Sequence, residues 1–296
     1  MILFDAHQAV IACTAKASSD FGVSNVTLSD VRHYFLRLIV ESMKKHTAEY
    51  GKDVVLAFDS LKGYWRKDEF PFYKFKRKDA KANMPFDMEF AKDCADALFH
   101  EMDERTHLRA VRVDNAEGDD VIASIVMAYG IERGEIVDAG NMPNFLIVSS
   151  DEDFLQLQRF QAVDQWASIR KTYVRTDDAK RALFDKIVRG DDGDSVPNVT
   201  SEDDIYVTKA RRQTPITQKK LDAWYEEYMR TGQPPEAIAT YWDRNRKMID
   251  FSQIPAVIQG QIVEAYTSAK RTSKMDFLGY MTEKKVKGFD EDLQFF

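Results

Sequence analysis

The chain has 296 residues, 44% of them hydrophobic, and a formal net charge of −7. That is enough for one large globular domain, or a large one with a smaller appendage, around a real core. No apolar run approaches a membrane span and the strand-like MILFD start shows no signal peptide, so a membrane protein and a secreted one are both excluded from expectation.

Residues 1–5 are predicted as a first strand ending at Asp5. Ser29 is predicted as a helix N-cap, because Val31, Tyr34, Phe35, Leu38, Ile39 and Met43 follow at helical spacing. DVVLAFD (53–59), LRAVRV (108–113) and FLIVSS (145–150) are the next three strands. Between them lie a helix over 86–105, with Phe86, Phe90, Ala97 and Leu98 inward, and a helix over 116–129 through Val121, Ile122, Ile125 and Val126. A short helix near 152–158 and a strand or hairpin over 160–175, with Trp166 and Tyr173, complete an alternating pattern. Alternation of this kind predicts an α/β fold with a mostly parallel central sheet flanked by helices.

From residue 177 the pattern changes to helices over 178–189, 217–230, 234–248 and 255–270, with a polar, irregular stretch over 190–216. The expected organisation is a core of 1–176, including a segment 60–85 without periodicity, and a helical extension 177–296 with a polar tail 271–296. Structureless connections as long as 60–85 are usually functional or disordered. No internal repeat is evident.

Carboxylates gather at the ends of these elements: Asp5, Asp59, the Glu117, Asp119 and Asp120 group, Asp151 with Asp153, and Asp191 with Asp194. Three of these groups directly follow apolar runs: MILF, VVLAF and FLIVSS. The carboxyl ends of buried parallel strands converge on one crevice. Like charges in one crevice repel and raise each other's pKa, and hard divalent cations offset that cost. The expectation is an oxygen-ligated site for two Mg2+ ions, with Mn2+ able to substitute. Asp151 and Asp153, two apart on an extended backbone, are expected to face one cluster. Each group also has a plainer explanation. Asp is a good N-cap, acids in a first helical turn favour the dipole, and GDDGDS is rich in turn formers. Repetition across five places outweighs these. Cys13 and Cys94 are far apart and the five histidines lack zinc spacing, which argues against zinc and for a reduced, cytoplasmic protein.

Residues 62–81 carry Lys62, Arg66, Lys67, Lys74, Lys76, Arg77, Lys78 and Lys81 against only Asp68, Glu69 and Asp79. Tyr64, Trp65, Phe70, Phe72, Tyr73 and Phe75 are interleaved with them. A solvated loop with a few core aromatics is the commoner origin of such a run, but this mixture also suits phosphate contacts and base stacking.

The order Asp5, Asp59, EGDD (117–120), SSDEDF (149–154) and GDDGDSVPNV (190–199) resembles the flap endonuclease and 5′-nuclease superfamily, which shares a PIN-like core. Within it, KGYWRKDEF (62–70), the Tyr73, Lys74 and Arg77 element, and the run from Ile249-Asp250-Phe251 to Ile254-Pro255 are most similar to the T4-type phage ribonuclease H branch. The resemblance implies that Asp5, Asp59, Asp119 and Asp151 hold a first metal with Glu117 beside it. Asp153, Asp191 and Asp194 hold a second, partly through water, and Asp120 supports from behind. It implies that Lys74 and Arg77 approach the scissile phosphate, that Tyr73 stacks on the terminal base, and that Arg66 and Lys67 join the nucleic-acid surface. The region after the last acids is implied to form a helix-turn-helix variant that grips duplex. The glycine-rich turn common there is replaced by Val199-Thr200-Ser201 and an acidic SEDD, so Lys209, Arg211, Arg212, Lys219 and Lys220 are the nearest phosphate contacts. Whether this turn binds potassium stays open.

The implied activity is two-metal hydrolysis, 5′ to 3′, of RNA primers and adjacent DNA in RNA–DNA hybrids, nicked or gapped duplexes and 5′ flaps. The alternatives are a PIN-type ribonuclease, a non-catalytic structure-specific DNA-binding protein, and, weakest, an Asp-nucleophile phosphatase, for which Asp5-Ala6-His7 lacks a second aspartate. At the C-terminus, Leu293, Phe295 and Phe296 after an acidic stretch resemble a sliding-clamp-binding peptide, or else fold back onto the body. A single-stranded-DNA-binding protein is a further implied partner, and a monomer is expected.

Overall fold

The expected apolar runs form parallel strands: β1 (Ile2–Asp5), β2 (Val54–Ala57), β3 (Arg109–Val111) and β4 (Phe145–Val148). The computed structural model describes residues 1–77, 84–133, 144–208, 211–269, 274–286, 288 and 289. The 160–175 region is a hairpin, with β5 (Val163–Ala167) parallel to β4 and β6 (Thr172–Val174) antiparallel to β5. The sheet order is β3-β2-β1-β4-β5-β6. Strand order therefore reverses between β1 and β4, and the crevice outside their carboxyl ends is where open α/β sheets bind ligands.

Helices cover both faces. On one lie α1 (Ala6–Phe21), α2 (Leu28–Tyr50) and α4 (Met88–Arg105), packed on Ile2, Phe4, Leu56 and Leu146. On the other lie α5 (Gly118–Tyr129), α6 (Ala179–Arg189), α8 (Gln218–Thr231), α9 (Glu236–Ile249) and α10 (Ala256–Ser268). They share one apolar layer with Leu3, Val55 and Ile147, so the C-terminal helices extend a face of the sheet rather than enclosing a separate core. Two short helices, α3 (Trp65–Glu69) and α7 (Ile205–Thr208), lie in the connections.

Local expectations need four corrections. The helix α1 has no counterpart in the sequence reading, because its buried face is made of small residues: Ala6, Val10, Cys13, Thr14, Ala17 and Ser18. The cap of α2 is Thr27, not Ser29; Thr27 and Asp30 bond reciprocally in a capping box. In α4, Leu98 is buried as expected, but Phe90 and Ala97 are half-buried, as is Phe86, which precedes the helix, and the inner face is Ala91, Cys94, Ala95, Leu98 and Met102.

The fourth correction concerns the tail. Part of 271–296 is the helix α11 (Lys274–Glu283), and Phe277, Tyr280, Met281 and Phe289 are buried against the α1, α2 and α4 layer. Fully burying one such aromatic contributes about 1.5–3 kcal/mol, which outweighs the polar composition around it. The Tyr280 hydroxyl also donates to Glu101, which receives a two-pronged bond from Arg32. Leu293, Phe295 and Phe296 lie outside the described residues. Among the described residues, no helix is long and apolar enough to cross a membrane.

Candidate active site

Three strand ends deliver the first acids. Asp5 ends β1, caps α1 by accepting from Gln8 N at 3.1 Å, and accepts from Ser149 Oγ at 2.9 Å. Asp59 lies two residues beyond β2 and accepts from Gly118 N at 2.8 Å. A Cβ on Gly118 would stand 3.2 Å from both Ala57 O and Asp59 Oδ1, so glycine lets α5 start tight against the end of β2. Asp151 follows β4 and accepts from Asp153 N at 3.0 Å. Those two residues do not lie on extended backbone as expected. Asp151 caps the 3-10 helix Glu152–Arg159 and Asp153 sits in its first turn, yet both line the cleft.

The first turn of α5 brings Glu117, Asp119 and Asp120 within 4.8 Å of one another. Asp120 is fully buried, and its Oδ2 accepts from Trp65 Nε1, Arg66 Nη1 and Glu117 N, each at 3.0 Å. Arg66 is buried as well, 2.7 Å from Glu117 Oε2 and 2.8 Å from Asp120 Oδ1, and it donates to Met248 O in α9 at 2.9 Å. Arg66 is therefore not the surface phosphate contact expected from the sequence. Its charge is paired with two buried carboxylates, and removing one partner of a buried pair is costly.

The outer acids are held by the foot of the 60–77 segment. Gly190, at φ +73, ends α6 and opens a turn that Asp191 and Val196 close by mutual backbone bonds of 2.8 Å. Tyr73 Oη, with one hydrogen to give, lies 2.7 Å from Asp194 Oδ2, to which it donates, and 3.0 Å from Glu117 Oε2. Lys74 has left-handed backbone, φ 59, and its N–H donates to Asp194 O at 2.7 Å. A lysine in that conformation is uncommon and is sustained only by surrounding contacts. Its ammonium pairs with Glu117, while Arg77 pairs with Asp194. Tyr73 is buried and bonded to Asp194, so in this arrangement it does not stack on a base as expected; its ring is part of the core.

The result is one cleft of about 330 Å³ lined by Asp5, Asp59, Glu117, Asp119, Asp151, Asp153, Asp191 and Asp194, with Lys74 and Arg77 on its wall. Burial, then Asp59 and Asp151, push the Asp5 carboxyl up to about 7. Burial, then Asp151, likewise push Asp153 up to about 7. Burial and Glu117 hold Asp119 well above the usual carboxylate range. Asp194 moves the other way: burial opposes its ionisation, but Lys74, Arg77 and the Tyr73 hydroxyl more than offset it. Protons and ammonium groups thus supply the positive charge that this cleft demands. Its eight carboxylates offer the oxygen donors that hard divalent cations take.

Besides the expected residues, His7, Gln8, Ile11 and Gly193 line the cleft, and Lys186 pairs with two of its acids. His7 Nε2 is 3.8 Å from Asp59 Oδ2, and Gln8 accepts from Ser149 Oγ at 3.2 Å and from Ser150 N at 3.1 Å. Both follow directly on Asp5, and that adjacency was the available signal. Lys186 Nζ lies 2.8 Å from Asp153 Oδ1 and 2.7 Å from Asp191 Oδ2. Nothing local marks it, because a lysine in a last helical turn is ordinary.

Of the expected nucleic-acid contacts, Lys67, Arg211, Arg212, Lys219 and Lys220 are exposed. Lys219 and Lys220 stand in the first turn of α8, where backbone N–H groups also favour phosphate. Lys209 lies outside the described residues, as do Lys78 and Lys81. At the turn left open for potassium, the Arg244 guanidinium donates to Pro197 O and Asn198 O at 3.0 Å and to Ser201 O at 2.9 Å.

A parallel sheet with these acids at its switch point and cations on the cleft wall defines a phosphodiester hydrolase. A family model for the 5′-3′ exonuclease N-terminal resolvase-like domain matches residues 2–186, and one for the T4 RNase H C-terminal region matches residues 178–296. The chain belongs to the 5′-3′ exonuclease family. It is 30% identical over 268 residues to ribonuclease H of Enterobacteria phage T4, covering 87% of this chain and 84% of that one. It is 25% identical over 175 residues to flap endonuclease Xni of a Shewanella strain, covering 55% and 58%. The T5 5′-exonuclease with bound zinc superposes with a TM-score of 0.59 at 13% identity, covering 97% of this chain and 98% of that one. The T5 flap endonuclease in a pseudo-enzyme–product complex with DNA and metal ions gives 0.52 at 13% identity, covering 99% and 98%. At such identities the T5 structures share the fold.

Proposed function

We propose that this nuclease works from 5′ ends, removing RNA primers and adjacent DNA from RNA–DNA hybrids, nicked or gapped duplexes and 5′ flaps. The setting is phage lagging-strand replication in the cytoplasm of a bacterial host. The observation that carries the reading is the convergence of eight carboxylates, from five chain segments, on one cleft that also holds Lys74 and Arg77. A degenerate binding protein has no use for so costly a concentration of acid.

Asp5, Asp59, Asp119 and Asp151 would hold one Mg2+, with Glu117 beside it; Asp153, Asp191 and Asp194 would hold a second, partly through water. Asp120, turned away from the cleft toward Arg66 and Trp65, keeps Glu117 and Asp119 in place. Mn2+ fits the same oxygen donors. Two such ions, held by these residues, would supply an activated water and stabilise the leaving oxygen of an in-line displacement. Lys74 and Arg77 stabilise charge developing on the scissile phosphate. The products are a 5′-phosphate and a 3′-hydroxyl.

The helical region 177–296 would grip duplex backbone through Arg211, Arg212, Lys219, Lys220 and Lys209, with Lys67 extending the contact from the core 1–176. The protein would act as a monomer. The C-terminal Leu293, Phe295 and Phe296 would engage a sliding clamp, and a single-stranded-DNA-binding protein would meet the helical region.

The test is cleavage of a 5′-labelled flap duplex and a matched RNA–DNA hybrid, each with Mg2+ and with EDTA. Metal-dependent short products from the 5′ end are expected. Tight binding without cleavage in any divalent cation would overturn the reading.

A further inference from the structure

Besides the buried Arg66, which lies behind Glu117, three cationic side chains answer the acids of the cleft: Lys74, Arg77 and Lys186. The first two come from the 60–77 segment and serve the phosphate in the mechanism above. Lys186 has a different geometry. It rises from the last turn of α6, and its ammonium joins two acids from separate segments, 2.8 Å from Asp153 Oδ1 and 2.7 Å from Asp191 Oδ2. The first acid opens the 3-10 helix after β4; the second opens the turn behind Gly190. Asp153 Oδ1 is buried, and no other donor among the described residues reaches it.

We propose that Lys186 is the resident counter-cation of the outer acids, standing between Asp153 and Asp191 until a divalent cation displaces it. Lys186 thereby sets the concentration at which the second metal position fills. The inference rests on the metal reading above and adds a competitor to it.

Without a positive charge between them, the Asp153 and Asp191 carboxylates would repel each other. The ammonium stands between them and holds the two acids together, so the position is formed in advance. It is also an obstacle. Oxygen ligands surround Mg2+ at about 2.0–2.1 Å, closer than either ammonium contact, so ammonium and metal cannot share these two oxygens. Lysine can leave, because it is a point charge on a flexible four-carbon stem, and this one is 33% exposed. No lysine or arginine nitrogen among the described residues stands within ion-pair distance of Asp5 or Asp151. The same holds for Asp59 and Asp119, and Lys74 pairs with Glu117 beside these four acids rather than with them. Loading is therefore ordered: the position of Asp5, Asp59, Asp119 and Asp151 fills first, and the outer one fills at higher concentration.

The experiment is a Mn2+ titration of the full-length protein without nucleic acid, with free Mn2+ counted by electron paramagnetic resonance. The wild type is expected to show two positions of unequal affinity. Lys186→Met should tighten the weaker by at least about tenfold, equivalent to about 1.4 kcal/mol, and leave the tighter within about twofold. Lys186→Arg should keep it weak, and Asp191→Asn should abolish it. A folded Lys186→Met protein with unchanged or weakened second binding overturns the inference and leaves the metal reading intact. Absence of Mn2+ binding in the wild type overturns both.

A second measurement needs no variant. The Nζ resonance of Lys186 in 15N-lysine-labelled wild type should move with the second equivalent of a diamagnetic divalent cation and not with the first. A resonance that stays in place through both equivalents overturns the displacement.

Discussion

The Tyr73 hydroxyl donates to Asp194 at 2.7 Å and so fastens the 60–77 segment to the outer acidic turn. The same segment reaches inward through Arg66 to Glu117 and Asp120. Its position and that of the acids are consequently one structural problem, solved by charge pairing.

Asp119→Asn should retain the fold and substrate binding and lose cleavage. Asp119 lines the cleft, whereas its neighbour Asp120 carries the buried contacts to Trp65 and Arg66. The check is single-turnover cleavage beside a binding isotherm in Ca2+. Turnover at the wild-type rate in Mg2+ would remove Asp119 from the metal set.

Lys74→Ala should slow single-turnover cleavage by about 10²–10³-fold, the usual cost of removing one donor aimed at developing charge. Substrate affinity should fall far less. If only the dissociation constant moves, Lys74 positions the strand and does not serve the chemistry.

Arg66→Ala should destabilise the fold by about 3–5 kcal/mol, because it strands two buried carboxylates. Denaturant melts measure this. The salt dependence of DNA binding by the remaining folded protein should match wild type, since Arg66 does not reach the surface. A shallower salt slope at undiminished stability would return Arg66 to the phosphate contacts.

Metal-free stability should fall as pH rises from about 4 to about 7. Asp5 and Asp153 have folded pKa values raised to about 7, above the roughly 3.9 of an unfolded aspartate. The folded state therefore binds more protons across that window, and the stability held below it is lost as the groups ionise. Asp59 and Asp194 are shifted down, so their opposing gain comes near pH 4, where the unfolded aspartate ionises, and they add no slope above about pH 5. Thermal melts in EDTA should show the decline, and Mg2+ should raise Tm most at the high-pH end. An EDTA profile that climbs between pH 4 and 7 would contradict this.

Deleting the last six residues should weaken sliding-clamp affinity while leaving cleavage of a naked flap unchanged. Surface plasmon resonance on immobilised clamp reads the first and a gel assay the second. Equal clamp affinity in both proteins would reject the tail as the docking peptide.

Strand positions, the mostly parallel sheet and the gathering of acids at strand ends were all legible in the sequence. Each depends on short-range pattern: apolar runs of strand length, and a carboxylate directly after the run. Asp5, Asp59 and Asp151 could be placed in one crevice before any coordinates because parallel strands present their carboxyl ends to the same side. The small-residue face of α1 gave too weak a periodic signal, and the apolar residues of α11 were masked by polar neighbours.

What tertiary structure alone decided is the partner of each charge. Arg66 and Lys67 are adjacent and alike in sequence, yet one neutralises Glu117 and Asp120 in the interior and the other faces solvent. Lys186 is an unremarkable helix-end lysine until the fold sets it between Asp153 and Asp191. Periodicity reports which face of an element is buried. The opposing charge across that face depends on which distant segments the sheet order brings together, and a local pattern carries no record of that.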